Sequence, residues 1–356
     1  MKTIATIVGA RPQFIKVSPV SRALAETGRV REVLIHTGQH FDAGMSDVFF
    51  AELGIAAPDH NLDIHGGGHG AMTGAMLAKL EPIIEDLRPD RVLVYGDTNS
   101  TLAGALVAAK LHIPVAHVEA GLRSFNRAMP EEINRIVADQ LSDILFTSTA
   151  AAAENLANEG VEPGRIVPVG DVMYDAALQV AGRARERSEI FAAAGVLPDN
   201  YVLATVHRAE NTDDPQRLAN IVAALDQVAE TLPVVLPLHP RTEGRMKAAG
   251  LAFRNVKLLP PVGYLDMVAL EARAAVIATD SGGVQKEAFF YEVPCVTLRD
   301  ETEWVELVSL GWNRLASPAG EGLAEAILDA RGRRGEKAQP YGDGRAAQRI
   351  AEILTA

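Results

Sequence analysis

Short apolar runs rich in β-branched residues recur along the chain, and each breaks off into a polar cluster. In the first half the runs Ile4–Val8, Val92–Tyr95 and Val115–Val118 end in Gly9-Ala10-Arg11-Pro12, Gly96-Asp97-Thr98 and Glu119-Ala120-Gly121. In the second half Val202–Val206, Val234–Leu238 and Val276–Thr279 end in His207-Arg208, His239-Pro240-Arg241 and Asp280-Ser281-Gly282-Gly283. Near-continuous apolar runs mark parallel strands buried on both faces, and ligands collect at the carboxyl ends of such strands. Segments of helical period lie between the runs. Residues 12–26 carry Phe14, Ile15, Val20 and Leu24 at one-face spacing, with Pro12 suited to a first helical turn.

The same reading predicts further strands at 33–37, 144–147, 166–169, 256–259 and 296–298. It predicts helices at 71–87, 98–111, 131–141, 176–194, 215–231, 283–291 and 344–354. Strand–helix alternation of this kind builds doubly wound α/β sheets with right-handed crossovers. At 356 residues the chain is long for one core. The expected fold is therefore two Rossmann-like domains facing each other across a cleft, residues 1–170 and 171–356. The turn cluster Pro198-Asp199-Asn200 precedes the second domain's first long strand. The last helix is a candidate to pack back on the first domain.

Composition narrows the partners. With 48% hydrophobic and 22% charged residues the chain is ordinary for a globular protein, and its net charge of −12 supplies no basic field for nucleic acid or an anionic membrane. Local cations and helix N-termini can still bind a phosphorylated ligand. No apolar stretch approaches the roughly 20 residues of a membrane span, and no cleavage-site pattern follows Met1-Lys2-Thr3, so a cytoplasmic location is expected. The single cysteine, Cys295, lies in an apolar run and reads as a buried structural thiol.

The candidate chemistry sits at the strand ends. Asp280-Ser281-Gly282-Gly283-Val284-Gln285-Lys286-Glu287 follows a strand and opens a helix, where glycines let a diphosphate approach the free N–H groups. Glu287, one turn in, is placed to accept from ribose hydroxyls. Gly9-Ala10-Arg11 with Lys16 makes a similar site with two cations. Asp97, Glu119 and Glu131 form an acidic set whose mutual repulsion would separate acid from base roles. His207 and Arg208 add a donor and a cation. Gly66-Gly67-Gly68-His69-Gly70-Ala71 fits a dinucleotide fingerprint but follows no good strand, so no nicotinamide cofactor is expected. The histidine pairs His36/His40 and His65/His69 lack a third and fourth ligand, and no metal is expected.

Together these segments resemble the non-hydrolysing UDP-N-acetylglucosamine 2-epimerases. The resemblance rests on the Gly9–Lys16 segment, Thr37-Gly38-Gln39-His40, Gly96-Asp97-Thr98 and His117-Val118-Glu119-Ala120-Gly121-Leu122-Arg123. It extends through Pro130-Glu131-Glu132-Ile133-Asn134-Arg135, His207-Arg208-Ala209-Glu210-Asn211 and Ser281–Glu287. It implies a two-domain glycosyltransferase-B-type architecture, UDP bound mostly by the C-terminal domain, no cofactor and a homodimer. Catalytic roles would fall to Lys16, Asp97, Glu119, Glu131 and His207. The UDP-sugar would be bound by Arg11, Gln39, His40, Arg123, Arg208, Asn211, His239, Ser281, Gly282, Gly283 and Glu287. Two departures stand out: Ala209 replaces the usual second arginine after the histidine, and Met129 replaces a tryptophan. Gln39-His40-Phe41-Asp42, Arg123-Ser124-Phe125-Asn126 and Glu301–Glu306 are instead similar to the branch acting on UDP-2,3-diacetamido-2,3-dideoxyglucuronate in surface-polysaccharide biosynthesis. A uronate carboxylate would need a cation, for which Arg127 and Arg241 are candidates.

The C2 proton of a 2-acetamido sugar has no neighbouring carbonyl to acidify it. Without a nicotinamide, inversion requires elimination of UDP across C1–C2 and its re-addition, with the proton returned to the other face. A glycosyltransferase of the same fold would need an acceptor, and a non-catalytic nucleotide-sugar sensor would need no carboxylate set.

Overall fold

In the computed structural model, residues 1–39, 50–185 and 189–356 are described, and counts here refer to them. The chain forms two compact units, Met1–Gln179 with Gln339–Ala356, and Val180–Ala338.

The first unit contains a seven-stranded parallel sheet. Its strands are β1 (Lys2–Val8), β2 (Val30–His36), β3 (His60–Asn61), β4 (Arg91–Tyr95), β5 (Val115–Ala120), β6 (Ile144–Thr147) and β7 (Ile166–Pro168), in the order β3-β2-β1-β4-β5-β6-β7. β5 is buried throughout and β4 from its second residue on, because helices cover both faces of a doubly wound sheet. On one face Ile7, Val33, Val92, Val94 and Val115 pack with Met76, Leu80 and Ile84 of helix His69–Leu87 and Ala103 and Val107 of helix Asn99–Lys110. Helix Arg11–Thr27 starts with Pro12 in its first turn and stops at Gly28, whose φ of 62° a side chain would resist. Helix Asn99–Lys110 is capped by Thr98, whose hydroxyl accepts from Thr101 N at 3.3 Å. The last helix, Ala346–Thr355, belongs to this unit: Asp175 accepts from Ala347 N at 2.7 Å, and Arg349 donates to Val169 O at 3.0 Å.

The second unit repeats the plan with six parallel strands. They are β8 (Val202–Thr205), β9 (Val234–Pro237), β10 (Lys257–Leu259), β11 (Val276–Thr279), β12 (Cys295–Thr297) and β13 (Asn313–Leu315), in the order β10-β9-β8-β11-β12-β13. Val202, Ala204, Val234, Val276 and Val296 meet Ile221, Leu225 and Val228 of helix Pro215–Ala229 on one face; Tyr201, Leu203, Ile277, Ala288 and Cys295 form the other core. Burial pushes the Cys295 thiol up to about 12, fitting a structural residue. The β-branched runs anticipated β8 to β12. The pattern did not single out helices Ala150–Asn158, Pro240–Ala248, Tyr264–Ala272 and Leu323–Ala330, nor strands β3 and β13. No described helix is long and apolar enough to cross a membrane.

Each sheet reverses strand order once, between β1 and β4 and between β8 and β11. In an open α/β sheet the crevice at this switch point is where ligands bind. The loops after these four strands are Gly9–Ala10, Gly96–Thr98, Val206–Arg208 and Asp280–Ser281. The fingerprint-like Gly66–Gly70 follows the edge strand β3 rather than a central strand, and its His69 ring nitrogen lies 3.3 Å from Asn99 Nδ2, at the start of the helix after the β4 loop.

Candidate active site

In the first unit Gln13 pins the switch point. Its Oε1 accepts from Gly9 N at 2.8 Å and Ala10 N at 3.0 Å, while Nε2 donates to Tyr95 O at 2.9 Å and Thr101 Oγ1 at 3.1 Å. The glycine before Ala10 is required by crowding, since a Cβ on Gly9 would fall on Thr37 Oγ1 and Ser100 Oγ. Gln39 joins the same layer, accepting from Ser100 Oγ at 2.9 Å. Arg11 opens the helix, and one turn further Lys16 points inward and forms an ion pair with Glu119. The Lys16 and Glu119 side chains are only 9% and 7% exposed, so Lys16 is not a surface lysine. Glu119 is the residue skipped by a register shift between Val118 and Ala120 of β5 and has φ 69°, a left-handed conformation that non-glycine residues rarely adopt. Strain of this kind clusters at functional sites.

Asp97, after β4, receives Arg135 Nη2 on Oδ2 at 2.8 Å, and Asn134 Nδ2 donates to its backbone carbonyl at 2.9 Å. Desolvation pushes its carboxyl upward from the ordinary value; Arg135 and Lys16 oppose this, and Glu119 and Glu131 add to it. The side chain keeps 35% exposure, so solvent screens part of the push. Glu131 stands half-buried in the first turn of helix Pro130–Leu141, with no cation partner among the described residues. Beneath the set, His117 is fully buried between Asp139 Oδ1 and Gly96 O, each 2.7 Å away, and so braces the Gly96–Asp97 loop. Burial would raise the Asp139 carboxyl, but His117 and Arg123 outweigh it and hold the pKa low.

In the second unit the fully buried Asp280 organises the switch point. It accepts from His207 N at 3.1 Å, Arg208 N at 3.0 Å and Asn211 Nδ2 at 3.1 Å. The His207 ring keeps 40% exposure and lies 3.4 Å from Asp280 Oδ1, with the His239 ring 5.7 Å away. Burial lowers its pKa, Asp280 opposes this, and Arg208 and Arg241 add to the lowering. Ser281 precedes helix Gly282–Phe290, whose N-terminal N–H groups face an anion favourably. Glu287, on that helix, accepts from Tyr264 OH at 3.2 Å. Arg208 also lies 3.6 Å from Glu303, which Arg299 holds at 2.9 Å.

Two residues expected to bind the ligand are buried and engaged by groups of their own unit. The Arg123 side chain is 1% exposed and clasped by Glu159, Asp139 and Leu122 O. Asn211 is fully buried, donating to Asp280 and Leu298 O and accepting from Arg217. A motif identifies such residues without telling which way they point. His40 lies outside the described residues. Of the candidate uronate cations, Arg241 is engaged by Asp213 at 2.6 Å, whereas Arg127 is exposed and has no ion pair among the described residues. Sequence reasoning missed the parts played by Gln13, His117, Arg135 and Asp280, although all four sit inside quoted motifs.

Two doubly wound units, one with a buried Lys16–Glu119 pair and one with a glycine-bearing helix end at its switch point, make up an enzyme of glycosyltransferase-B-type fold. The profile of the UDP-N-acetylglucosamine 2-epimerase family matches residues 22–355, and the chain belongs to that family. It is 57% identical over 355 residues, 99% of each chain, to the UDP-2,3-diacetamido-2,3-dideoxy-D-glucuronate 2-epimerase of Pseudomonas aeruginosa. The crystal structure of the Methanocaldococcus jannaschii UDP-GlcNAc 2-epimerase in complex with UDP-GlcNAc and UDP superposes with a TM-score of 0.93 at 44% identity, covering 99% of both chains. The Neisseria meningitidis enzyme bound to UDP-GlcNAc gives 0.91 at 30% identity, also over 99% of both chains.

Proposed function

We propose that this protein inverts C2 of a UDP-2-acetamido sugar, converting UDP-N-acetylglucosamine to UDP-N-acetylmannosamine by elimination and re-addition of UDP. The observation that carries this reading is the grouping of Lys16, Glu119 and Asp97 around the first switch point, on a chain whose family is defined by this epimerisation. The Ser281–Gly283 helix end and Glu287 bind the uridine diphosphate. A carboxylate of the set takes the C2 proton; the C–H electrons form the C1–C2 double bond, and the C1–O bond to UDP breaks. The diphosphate leaves as an anion stabilised by Arg11, Lys16, His207 and the helix N-terminus, a preorganised electrostatic effect. Re-addition with the proton delivered to the opposite face completes the inversion.

A second reading, action on the 2,3-diacetamido glucuronate, is supported by the 57% identical Pseudomonas aeruginosa relative and by the exposed Arg127, which has no ion pair among the described residues. A cytoplasmic homodimer serving surface-polysaccharide synthesis belongs to the same proposal and rests on the family resemblance. Proton NMR in D2O with each UDP-sugar tests it. Deuterium is expected to enter C2 together with the manno-configured product, and amide variants of Asp97, Glu119 or Glu131 should slow exchange far more than UDP binding. Absence of exchange with both sugars would refute the reading.

A further inference from the structure

Arg135 has no assigned part in the chemistry, yet its placement is costly. Its guanidinium is buried, and Nε and Nη1 have no hydrogen-bond partner among the described residues. Burying a cation with donors unmade is expensive, and a surface arginine would avoid it. What Arg135 does reach is specific. Nη2 donates to Asp97 Oδ2 at 2.8 Å, and Nη1 lies 3.2 Å from Glu132 Oε2. Glu132 also accepts from Ser124 N, Ser124 Oγ and Phe125 N at 3.0 Å each, so Arg135 is one of several groups that hold it. Asn134, the preceding residue, holds the Asp97 carbonyl. The first turns of helix Pro130–Leu141 thus carry Glu131 of the acidic set and, on neighbouring positions, the two groups that grip Asp97.

The charged groups acting on Asp97 are Arg135 and Glu131 from that helix, Lys16 from helix Arg11–Thr27 and Glu119 from the end of β5. Lys16 is already committed to Glu119. Arg135 is therefore the cation that answers Asp97.

We propose that Arg135 is a positioning residue that holds Asp97 as an oriented, ionised carboxylate for proton transfer at C2. The inference rests on the acid–base role given to Asp97 above. Three carboxylates around one sugar carbon could not all stay ionised without compensation, and the structure supplies one cation to each of two. Loss of the Arg135 charge leaves desolvation and two like charges to act on Asp97 with Lys16 alone in opposition, so the carboxyl takes up a proton at a higher pH. An opposite charge at this distance moves a carboxyl by about 1–3 pH units, and the solvent exposure of Asp97 places the effect at the low end.

The test is the pH profile of C2 deuterium exchange for the wild type, Arg135→Lys and Arg135→Gln, with UDP affinity measured on the same proteins. In Arg135→Gln the acidic limb should move up by about one pH unit, with about a tenfold loss of exchange below it and UDP affinity unchanged. Arg135→Lys keeps the charge and should keep the limb. In an Asp97→Asn background, Arg135→Gln should cost no further exchange, because the arginine acts through Asp97. A uniform loss with the limb unmoved, a parallel loss of UDP affinity, or full additivity in the double variant would each overturn the inference. Should Arg135→Gln not fold, the Arg135→Lys limb decides the matter: a shift equal to complete loss of the ion pair refutes a charge-based role. No exchange in the wild type would instead remove the proposed function, and this inference with it.

Discussion

Replacing Lys16 by Met tests whether the acidic set is balanced by buried pairing. Met has a similar length and fills the same space, so the packing against the inward face of helix Arg11–Thr27 is kept and the ammonium alone is lost. Glu119 is then left with a 7% exposed side chain and without Lys16. A carboxylate this buried, deprived of its ammonium, avoids the cost of the added charge by taking up a proton. From a reference Glu pKa of about 4.3, the uptake costs about 1.4 kcal/mol for every pH unit above it, so about 4 kcal/mol at pH 7 and about 1 kcal/mol at pH 5. The first value agrees with the roughly 3–5 kcal/mol typical of breaking a buried pair by removing one partner. The sign follows: the variant's folded state binds a proton that its unfolded state does not, so its deficit shrinks as pH falls toward 4.3. Denaturant unfolding at the two pH values measures it. The double variant Lys16→Met/Glu119→Gln, which carries no charge to neutralise, should recover most of the loss at pH 7. Equal deficits at both pH values, or a double variant no more stable than the single one, would show that Glu119 is solvated and that the pair does not govern the site. C2 exchange should be lost in both variants, which separates stability from chemistry.

Two further outcomes follow from the second unit. A Cβ on Gly282 would lie 2.5 Å from Glu303 Oε1 and 3.4 Å from Trp304 Nε1, at the helix end proposed to receive the diphosphate. Gly282→Ala should therefore weaken UDP binding by about tenfold in calorimetry, the effect of roughly 1.4 kcal/mol of strain; unchanged affinity would place the diphosphate elsewhere. Glu271 is fully buried with both carboxyl oxygens unpartnered among the described residues, and burial, reinforced by Glu287, raises its pKa well above the ordinary value. A raised carboxyl keeps its proton in the folded state, so stability is lost as pH rises above the unfolded value; Glu271→Met should gain on the wild type between pH 5 and 8 by at most about 1.4 kcal/mol per unit. A pH-independent difference in denaturation midpoint would contradict this.

How far the chain could be read in advance depends on whether a feature is local. The strands that flank both switch points are legible because a parallel strand buried on two faces must be apolar along its length, and Val92–Tyr95 or Val276–Thr279 has no other use. Helix Gly282–Phe290 was likewise expected within a residue, since glycines after a strand and before a helical pattern leave few alternatives. Helix Tyr264–Ala272 was not singled out, and its buried Tyr264 and Glu271 disturb an otherwise simple apolar stripe. The site itself divides along the same line. Lys16 and Glu119 were both named, but their pairing spans 103 residues and depends on the register shift after Val118 and the left-handed turn at Glu119. Arg123 and Asn211 carry the opposite lesson. A polar cluster at a strand end mixes groups that face a ligand with groups that hold the loop, and the local pattern weights them equally. Glu159 and Asp139 hold Arg123, and Asp280 and Arg217 hold Asn211, and these partners lie outside the local motif of each. Arg135 shows that the division is not a barrier: a residue buried for the scaffold's sake would have its donors satisfied, whereas this one leaves two unmade and spends its best bond on Asp97. Function in this fold is therefore to be sought among the buried polar groups whose hydrogen bonding is incomplete, as well as among the exposed ones.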